Sequence, residues 1–79
     1  MEIGKRIKEL RVSKNMTQED LAFKLGVSTQ AVSRWETNIT YPDITLLPIL
    51  ANIFDVTVDY LLDVDMMKKQ QEIDDIHDQ

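Results

Sequence analysis

No cysteine occurs in the 79 residues, so neither a disulfide framework nor a thiolate metal site can be built. Histidine occurs once, at position 77, beside Asp74, Asp75 and Asp78. Without a second histidine such a terminal cluster reads as a solvated chain end, and no metal is expected. Glycine and proline occur twice each, so there is no glycine-rich phosphate loop and no low-complexity tract. No nucleophile–base pair can be assembled from what remains, so neither an enzyme nor a cofactor is expected. The apolar runs fall far short of the roughly 20 residues that span a membrane. The opening MEIGKRIKEL has no apolar signal core, so no membrane is involved and the cytoplasm is the expected location. Asn15-Met16-Thr17 and Asn38-Ile39-Thr40 match a glycosylation pattern that is accidental without a secretory route.

What is present is a chain just long enough for one small apolar core. Its net charge is −5, which argues against nucleic acid until the chain is divided. Residues 1 to 40 carry seven bases (Lys5, Arg6, Lys8, Arg11, Lys14, Lys24, Arg34) against five acids, a net of +2. Residues 41 to 79 carry only Lys68 and Lys69 against nine acids, a net of −7. The acidity sits in one half. It weakens long-range attraction to a polyanion and makes any such affinity modest and strongly salt-dependent.

The stretch from Gln18 to Thr37 reads QEDLAFKLGVSTQAVSRWET. Thr17 and Asp20 make a capping box, and Leu21, Ala22 and Leu25 form one apolar face about two turns long. Gly26 stands where that helix must stop, at a position that favours a left-handed backbone. Val27 is an apolar plug and Ser28 a fresh N-cap. Val32 and Trp35 give the second helix its buried stripe, so Trp35 reads as core rather than as a stacking platform. The remaining groups, Ser28, Thr29, Gln30, Ser33 and Arg34, are small, polar or basic, which suits reading base edges in a major groove. Gln30 in particular can pair bidentately with adenine N6 and N7.

This stretch resembles the helix-turn-helix of the phage repressor and Cro family, the XRE-type regulators. Ala22 matches the small residue where the helices cross, Gly26 the turn, and Val32 and Trp35 the core. Ile3, Ile7 and Leu10 mark a preceding helix, expected from about Glu2 to Lys14, with Met16 as a hydrophobic staple to the next. Pro42 to Leu62, with its VTVDYLL segment, is similar to the family's last two helices, so the likeness covers roughly residues 2 to 63. It implies an all-α fold: a five-helix, lambda-repressor-like DNA-binding domain over residues 1–63, with the motif at 18–37. Asp43 is the expected cap of helix four, whose inward residues are Ile44, Leu47, Leu50, Ala51 and Phe54. Pro48 predicts a distorted start rather than a break. Thr57 caps a short fifth helix carrying Tyr60, Leu61 and Leu62.

The resemblance also implies roles. A recognition helix over 29–37 would enter the major groove, with Gln30 at the main base-reading position and Thr29, Ser33 and Arg34 as further base contacts. Arg34 can read guanine or grip backbone, and both stay open. Gln18 and Ser28 would hold phosphates from helix starts. Thr37, Asn38 and Thr40 would do so through side chains and backbone N–H groups. Arg11 and Glu36 match an ion pair that sets the angle of the reading helix. Ile53, Val56, Val58, Leu61, Met66 and Met67 exceed what a small core needs, and this end of the domain makes the two-fold contact in relatives.

Residues 64–79 form an acidic tail, either a helix packing on a dimer mate (a sixth helix) or a linker to a further domain or protein partner. The function these features imply is sequence-specific binding of double-stranded DNA, as a homodimeric transcriptional regulator of the repressor type on a pseudo-palindromic operator. The alternative is a protein-interaction module of the same fold, an antitoxin or anti-regulator binding a basic partner protein.

Overall fold

The computed structural model describes residues 3–62, all of whose regular elements are helical. The order is α1 (Ile3–Ser13), α2 (Gln18–Leu25), α3 (Thr29–Glu36), a 3-10 turn (Ile44–Leu46), α4 (Leu47–Phe54) and α5 (Val58–Leu62). This is the five-helix order that the resemblance implies. The tail residues 64–79, with Met66, Met67 and the proposed sixth helix, lie outside the described residues, as does His77.

Each helix turns one stripe inward. Ile3 and Ile7 from α1, Leu21 and Ala22 from α2, and Val32 and Trp35 from α3 meet Leu50, Phe54 and Leu61 in one cluster. Fully burying each large side chain contributes about 1.5–3 kcal/mol, so this cluster dominates the fold's stability. Gly4 explains how α1 reaches α3. A Cβ there would collide with the carbonyl oxygen of Trp35 and lie 2.7 Å from Asn38 Oδ1. Glycine costs a helix about 1 kcal/mol relative to alanine, so its place in the first turn is justified by this close approach.

The first four helices end alike. Asn15 (φ 57°), Gly26 (71°), Asn38 (61°) and Asp55 (57°) each turn left-handed, so Asn and Asp serve where glycine is scarce. The residue after each returns a hydrogen bond to the closing turn: Met16 N to Arg11 O, Val27 N to Ala22 O, Ile39 N to Arg34 O, Val56 N to Ala51 O. Met16, Val27 and Val56 then pack against the core. Ile39 does not; it is 70% exposed.

The start of helix four differs from the sequence expectation in detail. Pro48 lies in the first turn of α4, as its fixed φ and missing N–H favour. With no donor at 48, the Ile44 carbonyl accepts instead from Leu47 N in a tighter 3-10 turn. Asp43 therefore caps that turn, accepting from Thr45 N at 2.9 Å, and not α4 itself. Ile44 is rotated out of the apolar stripe and is 78% exposed. Thr57 caps α5 as expected, its hydroxyl accepting from Tyr60 N at 3.0 Å. Tyr60 in turn receives the Arg6 guanidinium over its ring at 4.2 Å, which ties α5 to α1.

Candidate nucleic-acid interface

The α2–α3 unit is built by local chemistry. Thr17 Oγ1 accepts from Asp20 N and the Asp20 carboxylate accepts from Thr17 N, both at 2.9 Å. The Thr17 backbone N–H, and after it the Thr17 hydroxyl, hold the Asp20 carboxyl below the usual carboxylate range. Gly26 ends α2 and Ser28 starts α3, its hydroxyl accepting from Ala31 N at 3.1 Å. That bond uses a lone pair, which leaves the Ser28 O–H as a donor for an anion.

On α3, Val32, Trp35 and Glu36 are buried. Thr29, Gln30 and Arg34 are exposed and Ser33 is half-buried, so the four candidate base-reading residues share the outward side. Arg34 makes no ion pair among the described residues. The helix closes at Glu36 and Thr37 is its C-cap, one residue short of the expected 29–37.

A charged network beneath the surface orients this face. Arg11 Nε donates to Glu36 Oε2 at 2.7 Å and Arg11 Nη2 to Glu36 Oε1 at 3.1 Å, a bidentate pair. The Glu36 side chain is only 2% exposed and that of Arg11 11%. The carboxylate holds the guanidinium pKa above its ordinary value, mainly through the hydrogen bond. Arg11 Nη1 also donates to Met16 O at 2.7 Å, so one side chain ties α1, the α1–α2 turn and the end of α3 together.

Gln18 joins the same network, donating from Nε2 to Glu36 Oε1 at 3.0 Å. This bond adds a structural role to the phosphate contact expected of Gln18. In the structure one of its two amide protons belongs to Glu36, and the bond ties the start of α2 to the end of α3.

The loop after α3 needs correction. The backbone N–H groups of Thr37, Asn38, Ile39 and Thr40 bond to the carbonyls of Ser33, Trp35, Arg34 and Arg34. The Thr37 hydroxyl also donates inward, to Ser33 O at 2.9 Å. Backbone donors in this segment are thus spent on closing α3 rather than offered to phosphate. The donors left to solvent belong to the side chains of Asn38 and Thr40, both exposed.

At the other end, Leu61 is fully buried in the chain's own core and cannot form a dimer surface. The reason is packing: α5 lies against α1 and α4, which puts Leu61 inside the core and Leu62 against it. Ile53, Val56 and Val58 are half-buried; Met66 and Met67 lie outside the described residues. Gly4 and Ile39 take roles in the structure that the sequence does not announce. A glycine in the first turn of a helix was the available signal for Gly4. None existed for Ile39, whose exposure is a tertiary matter.

Comparison with known proteins agrees with this geometry. The helix-turn-helix family model matches residues 7–61. The chain is 44% identical over 62 residues to the HTH-type transcriptional activator BcrR of Enterococcus faecalis, covering 78% of this chain and 30% of that protein. The P22 c2 repressor, solved in complex with synthetic operator 9T, superposes with a TM-score of 0.72 at 33% identity, over 77% of this chain and 92% of that one. The Bacillus subtilis regulator SinR, solved in complex with DNA, gives 0.68 at 39% identity, over 76% and 97%. SinR solved in complex with SinI gives 0.70 at 34%, over 94% and 78%. The chain spans 30–58% of the length of the curated relatives it matches. Among the described residues no helix is long and apolar enough to cross a membrane. From a tight turn at Gly26, a buried Arg11–Glu36 pair and these likenesses, the chain belongs to the phage repressor-type (XRE) helix-turn-helix family of transcriptional regulators.

Proposed function

We propose that this chain binds double-stranded DNA sequence-specifically in the cytoplasm as a transcriptional regulator, with α3 lying in the major groove. The observation that carries the reading is the outward side of α3: Thr29, Gln30, Ser33 and Arg34 side by side on a helix whose far end is anchored by Arg11, Gln18 and Glu36. Hydrogen-bonding groups on a rigid helix suit base edges, and no chemical step is assigned to them. Gln18, Ser28, Asn38 and Thr40 supply phosphate contacts through side chains. Thr37, with its N–H and hydroxyl both bonded inward to Ser33 O, closes α3 and is not among these contacts.

One such helix reads only a few base pairs, so useful specificity needs a second copy one helical turn away. The half-buried Ile53, Val56 and Val58 support a homodimer on a two-fold axis, with residues 1–63 as the DNA-binding unit and 64–79 as an appended tail. Relatives named as an activator and as a repressor both support a transcriptional regulator.

Selection of random duplexes on the purified protein tests the reading. A short pseudo-palindrome should be enriched. Failure to enrich any sequence at low salt overturns it, and supports a module that binds a basic protein partner. The net charge of −5 and the likeness to SinR in its SinI complex favour that second reading.

A further inference from the structure

We propose that Gly4 is a positioning residue for DNA binding, acting through Asn38. The inference rests on the DNA-binding reading above and names a residue outside the reading face. Of the four left-handed helix ends, three are pinned by a half-buried apolar residue packed against the core: Met16, Val27 and Val56. The end of α3 is not, because its equivalent, Ile39, is 70% exposed.

What holds that end is α1. The bare face of Gly4 abuts the Trp35 carbonyl, and Asn38 Oδ1 lies 2.7 Å from where a Cβ would stand. The same Trp35 carbonyl accepts Asn38 N at 3.1 Å, so Gly4 touches both ends of one turn. Contacts of this kind place a Cα–H against two oxygens, a recurring feature of close helix packing.

With the oxygen of its amide over Gly4, Asn38 has its NH2 group left to offer outward, and that group makes no hydrogen bond among the described residues. The backbone donors of 37–40 are already spent. Asn38 is therefore the main donor this loop holds in a fixed place, and Gly4 is the seat that fixes it. Any side chain at position 4 pushes α1 from the end of α3 and unseats the amide.

Binding of the full chain to its selected duplex, and to a random duplex, tests this with three variants: Gly4→Ala, Asn38→Gly and the double. Asn38→Gly keeps the left-handed backbone while removing the amide. Each single variant should weaken binding to both duplexes alike by about tenfold, the loss of one hydrogen bond to a charged group. The double should be no weaker than the worse single variant. Losses that multiply to about a hundredfold, or a folded Gly4→Ala with unchanged affinity, overturn the proposal.

If Gly4→Ala does not fold, judged by Trp35 fluorescence, wild-type protein decides by nuclear magnetic resonance. Adding duplex should shift the Asn38 side-chain amide pair and the Gly4 Hα signals together. Unmoved signals at either residue sink the idea. Absence of any duplex binding by wild type sinks the functional reading itself, whereas binding with an insensitive Asn38 sinks only this inference.

Discussion

Two side chains carry separable tasks at the scale of the single residue. Gln30 is exposed on the first turn of α3 and bonded to nothing else in the fold among the described residues, so it is free to read a base. Gln30→Ala should cost about 1–3 kcal/mol on the selected duplex and little on random sequence, read by titration of labelled DNA. An equal loss on both would make Gln30 a backbone contact. Glu36 has the opposite character. Its buried carboxylate accepts from Arg11 and Gln18, so Glu36→Ala strands a guanidinium and an amide together. A destabilisation of about 3 kcal/mol is expected in a denaturant melt, at the lower edge for broken buried pairs because Arg11 keeps Met16 O. An unchanged melt would show that the pair is not formed in solution.

At the scale of the element, helix starts should govern the response to acid. Asp20 and Asp43 each accept a backbone N–H, and those bonds lower both pKa values from the ordinary 3.8. A carboxylate depressed in the folded state adds stability above its unfolded pKa, and that stability is lost as pH falls through the lower folded value. The thermal midpoint should therefore decline as pH drops below 3.8, and Asp20→Asn should flatten that decline. An identical acid limb in the variant would remove the capping box from the account. Thr17→Ala removes the other half of the box and should cost about 1 kcal/mol, whereas Asp43→Ala should leave α4 intact, because Asp43 closes only the 3-10 turn. The four left-handed ends explain how a chain with two glycines closes its helices: Asn and Asp tolerate that backbone where Gly26 is the sole glycine so used.

For the whole molecule, charge and symmetry dominate. The proposed dimer brings the acidic half of two chains together, with Asp55 and Asp59 close to Ile53, Val56 and Val58 in sequence. Like charges across a two-fold axis repel, so association should be weak without DNA and strengthen with added salt, as DNA affinity falls. Sedimentation across a salt series, on the full chain and on a version ending at Asp63, checks this. A chain that stays monomeric at high micromolar concentration and binds a palindrome without cooperativity would refute the dimer.

Much of the fold was legible because its signals are local. Thr17, Gly26, Ser28 and Thr57 act on backbone groups within four residues, and the 3.6-residue period placed Val32 and Trp35 inside and Gln30 and Arg34 outside. The same local logic foresaw a distorted start at Pro48. What the tertiary structure alone decided lies between elements distant in sequence. Gln18 and Glu36 are 18 positions apart, and their hydrogen bond depends on how α2 crosses α3. Leu61 turned out to be core because α1 lies across α5, and Ile44 turned out exposed because a missing proline donor tightened the turn before α4. The donors of 37–40 are consumed by the closing turn of α3, which periodicity does not register. Apolar pattern and capping determine where helices begin, end and face; the crossing of those helices determines which polar groups are left over for DNA.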